Sequence, residues 1–249
     1  MSGHSKWSTI KRKKGAEDAR RGKIFTRLAR EITVAAREGG ADESSNPRLK
    51  LAVAKAKAGN MPRENIERAI LRGSGQLEGE DLVEITYEGY GPDGVAYLID
   101  TLTDNRNRTL AEIKHALNKS GGSLASAGAV TWQFQRKGFI SLEGSPDFEE
   151  VFLLAAEAGA DDVVEEAGLV EVWTPYEMLA NVEQSLADAG FTIAESGLRW
   201  EPANETGLPQ AKALQNMRLH ERLEELDDVQ SVFSNLQISE DLAEAYESS

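Results

Sequence analysis

The sequence predicts an α+β protein in which an N-terminal three-helix bundle precedes two α/β domains. Apolar residues recur at helical spacing through residues 16–73, with no strand signal among them. Alternating apolar residues begin at Leu82 and indicate the first strand of a different domain. Residues 139–200 then follow the ferredoxin-like order β-α-β-β-α-β, and a further helix and strand come after them. We therefore expect the ferredoxin-like domain to be inserted into the other α/β domain.

Helix signals define the bundle, which is predicted over residues 1–75. The first helix ends at Gly39, where two consecutive glycines stop the pattern. The second begins with Asn46 as its N-cap and Pro47 in its first turn, and the third ends at Gly73. The residues before the first helix have no apolar face, so we expect them to be extended.

The middle domain is predicted to be discontinuous, with residues 81–135 joined by residues 203–238. Two strand-like runs flank the segment 89–94, which satisfies the pattern G-x-G-x-x-G. A dinucleotide site needs a helix directly after this pattern, whereas a β-rich run follows here. We interpret the segment as a hairpin loop, and no cofactor is predicted.

Two further signals lie in the middle domain. Thr109 and Glu112 match a capping box and predict the start of a helix there. Val130, Trp132 and Phe134 alternate with polar residues and predict another strand.

The inserted domain is predicted over residues 136–202. The helix and the strand that follow it have no face to pack on within that domain, so we expect them to return to the middle domain. From Ser239 the chain is acidic and poor in apolar residues, which predicts a disordered acidic tail over residues 239–249.

Composition excludes several classes of protein. The chain has no cysteine, which excludes disulfides and thiolate sites. No run of about 18 apolar residues could span a bilayer, and the N-terminus lacks the apolar core of a secretory signal. We therefore expect a cytoplasmic protein without a membrane partner.

Charge is divided unevenly along the chain. The net charge is −14, yet residues 1–72 hold 18 Lys and Arg against 8 Asp and Glu, whereas residues 73–249 hold 10 against 34. Such an asymmetry is typical of a nucleic-acid-facing end, because Lys and Arg neutralise phosphates and release counterions. The alternative is a basic run that is simply a solvated face.

The N-terminal end is therefore the predicted contact with nucleic acid, and Lys11–Lys14 are the best candidates for phosphate contacts. Trp7 could stack on an unpaired base or pack onto the bundle, and we favour stacking because no apolar face adjoins it in the sequence. Arg20, Arg21 and Lys23 lie on a predicted helix and could instead pair with acidic residues of that helix. The predicted contacts are His4, Lys6, Trp7, Lys11, Arg12, Lys13, Lys14, Arg20, Arg21, Lys23, Arg106 and Arg108.

Arg106 and Arg108 stand at the start of a predicted helix in an acidic region. One interpretation is a second RNA or protein contact, because helix N-terminal amides suit anions. The other is a loop held by side-chain caps from Asp104, Asn105 and Asn107, with the arginines bridging domains. The sequence leaves the two open.

No catalytic or metal site is predicted. His4, His115 and His220 lie far apart, in different predicted elements, and lack metal-ligand spacing. Acidic pairs such as Asp227-Asp228 are interpreted as solvated charge. There is no P-loop, G-x-S-x-G or redox motif either, so the sequence predicts a protein that is not an enzyme.

Several long blocks resemble those of the YebC/PmpR family, which is related to the mitochondrial translational activator of cytochrome c oxidase. The blocks are Gly3–Trp7, Asp18–Lys23, Tyr87–Pro92, Thr103–Thr109 and Asp227–Gln230. The resemblance covers residues 2 to about 238 and implies three domains and a non-enzymatic cytoplasmic protein. Members are described as DNA-binding transcriptional regulators, and relatives as translation factors that act at the ribosome, including at proline-rich stalls.

The leading hypothesis is a monomeric nucleic-acid-binding regulator of gene expression. Charge alone does not distinguish DNA from ribosomal RNA or tRNA. The second and third predicted helices lack polar readers of base edges, which favours the ribosome, whereas the family label favours DNA. The alternative is an adaptor whose acidic α/β domains dock basic protein partners.

Overall fold

The computed structural model describes Trp7 and residues 18–79, 81–166 and 169–248. In these residues a helical domain is followed by two four-stranded antiparallel sheets with their helices, which confirms the predicted fold class. In chain order, the elements are α1 (Asp18–Gly39), α2 (Pro47–Ala58), α3 (Arg63–Gly73), β1 (Val83–Tyr90), β2 (Ala96–Thr103), α4 (Arg106–Lys119), β3 (Ser123–Leu124), β4 (Phe134–Leu142), α5 (Phe148–Glu157), β5 (Asp162–Glu166), β6 (Leu169–Pro175), α6 (Leu179–Asp188), β7 (Ile193–Pro202), α7 (Gln210–Glu224), β8 (Val229–Ser234) and α8 (Glu240–Glu247).

Helices α1, α2 and α3 form the bundle around a small apolar core that includes Ile32 and Leu49. As predicted, Asn46 caps α2, because its side-chain oxygen accepts the N–H of Leu49 at 3.0 Å. Helices α1 and α3 come close together at Gly73. A Cβ at that position would lie 2.3 Å from the carbonyl oxygen of Thr33, so only glycine fits the crossing.

The first sheet has the strand order β3-β1-β2-β8. Strand β8, far along the chain, pairs with β2 from Tyr97↔Ser234 to Thr101↔Val229, so the last strand returns to the middle domain as expected. Helices α4 and α7 cover one face of this sheet and share a core that includes Tyr97. The β1–β2 connection is a tight hairpin, which confirms that the G-x-G-x-x-G pattern lies in a hairpin loop.

The second sheet has the order β5-β6-β4-β7, the ferredoxin-like arrangement, with α5 and α6 packed on one face. Strands β4 and β7 pair from Leu142↔Ile193 to Phe134↔Pro202. The chain therefore enters and leaves this domain through two adjacent antiparallel strands. The residue boundaries assigned from the sequence remain a prediction.

Two local assignments in the middle domain are wrong. Helix α4 begins at Arg106, three residues before the predicted capping box, because the side chain of Asn105 accepts the N–H of Arg108 at 3.1 Å. The strand predicted at 130–134 begins only at Phe134. The loop before it is tied to β1 by the buried carboxylate of Glu88, which accepts backbone N–H groups from Gly128, Val130 and Thr131 at 2.5–3.0 Å, so these N–H groups are not used in strand pairing.

The predicted disordered tail is also wrong for residues 240–247, which form α8. Its acidic residues face solvent, but Leu242 and Tyr246 are buried in the core of the middle domain. The Tyr246 hydroxyl donates to the Glu221 carboxylate at 2.6 Å. Net charge along the segment concealed this narrow apolar face, which becomes stable only against α7.

Candidate nucleic-acid interface

The predicted contact residues fall into three groups in the structure. Arg20 and Arg21 belong to the first turns of α1. Lys23, Arg106, Arg108 and Trp7 lie in the described part of the chain. The residues that lie outside the described part of the chain are His4, Lys6, Lys11, Arg12, Lys13 and Lys14.

One face of α1 is directed at the middle domain rather than at solvent. Lys23 donates to the carbonyl of Glu225 at 2.9 Å and lies 3.4 Å from the Asp227 carboxylate. Arg27, one turn on, donates to the carbonyl of Glu224. These cations neutralise the turn between α7 and β8, so part of the basic charge of the N-terminal domain holds two domains together.

Arg30 extends this face to a buried carboxylate, Asp228. Its Nη1 lies 2.8 Å from Oδ1 of Asp228, which is 1% exposed. Arg108 donates to both oxygens of the same carboxylate at 2.8–2.9 Å, and to Asp104 at 2.7 Å. The hydroxyls of Thr109 and Thr103 lie 2.7 and 3.1 Å from Oδ2. Asp228 therefore joins α1, α4, β2 and β8 at one point.

This environment keeps Asp228 ionised. Burial alone would raise the pKa of its carboxyl, but the hydrogen bonds from Thr109, Arg108 and Arg30 outweigh burial and hold the pKa below its ordinary value. A buried carboxylate with this many donors stabilises the native chain only while it is charged. The interpretation of Asp227-Asp228 as solvated charge is thus wrong for Asp228, although Asp227 is 70% exposed.

We expect Asp228→Asn to destabilise the protein in a pH-dependent way. Above about pH 5 the variant should lose roughly 3 kcal/mol of unfolding free energy, because it leaves two arginines facing a neutral group. Since the native pKa is lowered, this difference should shrink as pH falls from the ordinary aspartate pKa of about 3.9 toward the lower native pKa, at which folded wild-type Asp228 takes up its proton. Urea unfolding between pH 3 and 7 measures it.

The neighbouring Asp227→Asn provides the matched control, because Asp227 is exposed and its pair with Lys23 is screened by water. It should change the unfolding free energy by about 0.5 kcal/mol or less at every pH. If the two variants changed the unfolding free energy equally, or if the change caused by Asp228→Asn stayed constant down to pH 3, the Asp228 carboxylate would not join the domains.

Trp7 has a core to join, contrary to the sequence-based expectation. Its ring is 3% exposed and belongs to the core of the middle domain. The indole N–H donates to the Glu224 carboxylate at 3.1 Å, and the ring lies 4.7 Å from the ring of His220 and 5.5 Å from that of Tyr246. Its partners come from α7 and α8, more than 200 residues later, and in this conformation the ring is not available to a base.

Arg106 and Arg108 separate into two roles. Arg108 bonds to Asp104 and Asp228 and helps to hold α4 against β8. Arg106 is exposed and has no ion-pair partner among the described residues. The interpretation of a capped loop with a bridging arginine therefore accounts for Arg108. For Arg106, a contact with RNA or protein remains a proposal.

A second tryptophan, Trp132, shows the opposite behaviour to Trp7. Its side chain is 75% exposed. Its loop is the one held by Glu88, and its indole N–H donates to the carbonyl of Ala129 at 2.9 Å. The polar atom of the ring is thus satisfied within the loop, and the ring itself is presented to solvent from a well-anchored position.

The bundle keeps other cations at its surface. Lys50 on α2 and Arg68 and Arg72 on α3 are exposed, and none has an ion-pair partner in the part of the chain that the structure describes. On the same helix α2, Arg48 instead pairs with Glu38 of α1 and with Glu84 of β1, so only part of the bundle's surface charge is neutralised. The bundle therefore retains positive charge that internal ion pairs do not neutralise.

The described residues contain neither a metal-binding cluster nor a membrane-spanning helix. No group of three or more His, Asp or Glu side chains there is arranged to hold a metal ion. None of the described helices combines the length and the apolar character that a bilayer crossing requires.

Arg27, Arg30 and Asp228 are residues of the domain junction that sequence reasoning missed. A signal for the first two was present, since Lys23, Arg27 and Arg30 are spaced to share one face of a helix. That spacing indicates a cationic face but not its partner. Asp228 lies in one of the blocks that carried the family resemblance, yet nothing in its neighbours in sequence shows that it is buried.

Comparison with known proteins decides the family. Residues 5–76 match the TACO1/YebC protein N-terminal domain, and residues 82–236 match the TACO1/YebC second and third domain. The chain belongs to the TACO1/YebC family. The matches cover both the helical part and the α/β parts, which confirms the resemblance found in the sequence.

Relatives of this TACO1/YebC chain match it over nearly its full length. A "Probable transcriptional regulatory protein" of Trichlorobacter lovleyi is 49% identical over 241 residues, covering 97% of this chain and 98% of that relative. A probable transcriptional regulatory protein of Geobacter sulfurreducens is 51% identical over 239 residues, which cover 96% of this chain and 97% of that relative. The crystal structure of a conserved hypothetical protein from Aquifex aeolicus superposes on this chain with a TM-score of 0.83 at 44% sequence identity. The superposition covers 90% of this chain and 93% of that protein's chain.

Proposed function

We propose that this chain is a non-enzymatic, nucleic-acid-binding regulator of gene expression that acts in the cytoplasm. The observation that carries the proposal is the charge partition, 18 Lys and Arg against 8 Asp and Glu in residues 1–72 of a protein whose net charge is −14. The regulatory part of the proposal is supported by the names of the relatives, which call them probable transcriptional regulatory proteins.

The internal ion pairs of α1 narrow down where nucleic acid would bind. Arg27 and Arg30 contact the middle domain and are not free for phosphate, whereas Lys23 pairs with Asp227 but remains 52% exposed. The basic segment Lys11–Lys14 and the outer faces of α2 and α3 remain. We propose that these two surfaces bind the phosphate backbone, with Lys11–Lys14 providing most of the charge.

The same surfaces favour recognition of shape and charge over recognition of base sequence. Among the described residues, the exposed positions of α2 and α3 include Lys and Arg but neither Asn nor Gln, the side chains that pair with adenine edges. Phosphate contacts position a protein but carry little sequence information. This supports structured RNA of the ribosome, or tRNA, as the target, and a role in translation such as relief of stalling on proline-rich sequences.

Trp132 is better placed than Trp7 to stack on a base. The exposed ring of Trp132 stands on an anchored loop, so it would lose little conformational freedom when a base stacks on it. We propose that Trp132 supplies the stacking surface first assigned to Trp7, and that Arg106 adds a phosphate contact from the same domain.

Ultraviolet cross-linking in living cells, followed by sequencing of the attached nucleic acid, tests the proposal. We expect ribosomal RNA or tRNA fragments to be enriched with the wild-type protein, and the enrichment to fall when Lys11–Lys14 are neutralised. Recovery of DNA at defined sites would assign the protein to transcription and overturn the ribosomal target. Equal recovery of nucleic acid with wild type and variant would contradict the proposed contact.

A further inference from the structure

The inserted domain has a long segment whose charge is entirely of one sign. Residues 138–198 contain 14 Asp and Glu and no Lys, Arg or His at all. The rest of the protein holds 28 Lys and Arg and 28 Asp and Glu, so this segment alone accounts for the net charge of −14. Cations that flank the segment pair with two of its carboxylates, Lys137 with Asp161 and Arg199 with Glu195, and the segment itself supplies none, unlike ordinary surfaces with mixed charges.

Helix α5 of this domain also exposes apolar side chains. Phe152 is 46% exposed and Leu153 is 63% exposed. The half-buried ring of Phe148 lies 6.2 Å from that of Phe152 and continues the apolar surface. Val151 and Ala155, on the other side of the helix, already fill the domain core, so the exposed residues are not needed to hold α5 in place.

Carboxylates surround this apolar surface. Glu149 and Glu157 lie on the same outward side of α5 as Phe152 and Leu153, and Glu150 borders it. None of the three has an ion-pair partner among the described residues. An apolar centre with a charged rim is the usual anatomy of a protein-binding surface.

We infer that the outward face of α5, formed by Phe148, Glu149, Phe152, Leu153 and Glu157, docks a cationic amphipathic segment of a partner protein. Such a segment would cover Phe152 and Leu153 with apolar side chains and place Lys or Arg against the glutamates. Nucleic acid does not fit, because the carboxylates repel phosphate. A second copy does not fit either, because a symmetric contact would place glutamates against glutamates.

This inference rests on the inserted domain and is independent of the nucleic-acid contact proposed for the N-terminal segment. A protein with both surfaces would hold a polyphosphate at one end and a basic protein at the other. Assemblies of nucleic acid with basic proteins present both chemistries side by side, so the two surfaces together fit such an assembly.

The test uses the full-length protein and an 18-residue amidated peptide of Leu and Lys arranged as an amphipathic helix, with a scrambled peptide of the same composition beside it. We expect the amphipathic peptide to bind at least tenfold more tightly than the scrambled one. Backbone amide shifts on binding should centre on residues 148–157. The double variant Phe152→Gln with Leu153→Gln should weaken binding at least tenfold, and Glu149→Gln with Glu157→Gln should reduce its salt dependence.

Matched variants elsewhere control for general effects. Leu71→Gln with Leu110→Gln alters two similarly exposed leucines, and Glu64→Gln with Glu78→Gln removes two exposed carboxylates of the N-terminal region; both should bind like wild type. Equal affinity for the two peptides, or wild-type binding by the Phe152/Leu153 variant, would overturn the inference. So would amide shifts on α5 with duplex RNA or DNA, or self-association of the protein that the Phe152/Leu153 change abolishes.

Discussion

Replacing Trp7 by alanine is expected to lower the free energy of unfolding by about 3–5 kcal/mol, the range for truncating a buried aromatic side chain. The ring is 3% exposed and fills a space bounded by His220 and Tyr246, so its removal leaves a cavity between the start of the chain, α7 and α8. Removing the indole also takes away the N–H group that donates to the Glu224 carboxylate at 3.1 Å. Urea or thermal unfolding of the full chain measures the loss.

Comparing Trp132→Ala with Trp7→Ala distinguishes a tryptophan that packs in the core from one that stacks on a base. Because the ring is 75% exposed, the substitution should change stability by less than about 0.5 kcal/mol. If Trp132 stacks on a base, affinity for single-stranded or loop RNA should fall by about 1–3 kcal/mol. A stable Trp7→Ala protein that has lost RNA binding, with Trp132→Ala unaffected, would restore the original assignment of stacking to Trp7.

Neutralising Lys11, Arg12, Lys13 and Lys14 together, each to glutamine, is expected to remove most of the affinity for nucleic acid. Each phosphate contact contributes about 0.9 to the slope of log affinity against log salt on duplex DNA, and about 0.7 on single strands. Four lost contacts should therefore flatten the slope by about 3 to 4, and affinity near 50 mM salt should fall roughly a hundredfold or more. Fluorescence anisotropy over a salt series, with structured RNA and duplex DNA, measures both quantities.

A second quadruple variant removes the same number of charges from the bundle, with Lys50, Lys57, Arg63 and Arg68 each changed to glutamine. If the basic segment is the main contact, this variant should flatten the slope by less than half as much. A larger effect from the bundle variant would move the interface to α2 and α3. Wild-type binding by both variants would leave the proposed nucleic-acid function without a site.

Local patterns were sufficient for most of the architecture. The spacing of apolar residues, the Asn46 cap and the order of strands and helices from 139 to 200 are properties of neighbours in the chain. Such neighbours decide helix and strand propensity and which face is apolar. The return of the last strand to β2 could also be predicted, because the inserted domain already had a complete set of elements.

Local patterns failed where a side chain finds its partner far away in the chain. The helix α8 looked like a disordered acidic tail because its apolar face has only two large residues, Leu242 and Tyr246, and their core is supplied by α7. That partner is not recognisable from residues nearby in sequence. The start of α4 was misplaced for a local reason: Asn105 caps the helix, whereas the hydroxyl of Thr109, taken as the capping residue, bonds to Asp228.

By itself, the sequence determined the fold class, the family resemblance and the concentration of positive charge before residue 73 and of negative charge after it, because all of these depend on composition and short-range spacing. Only the tertiary structure decided which charges and aromatics face outward. It directs Arg30 and Arg108 onto Asp228, buries Trp7 and exposes Trp132. The physical reason is that burial and ion pairing depend on the surroundings in space, and here those surroundings are contributed by segments 120 to 217 residues apart.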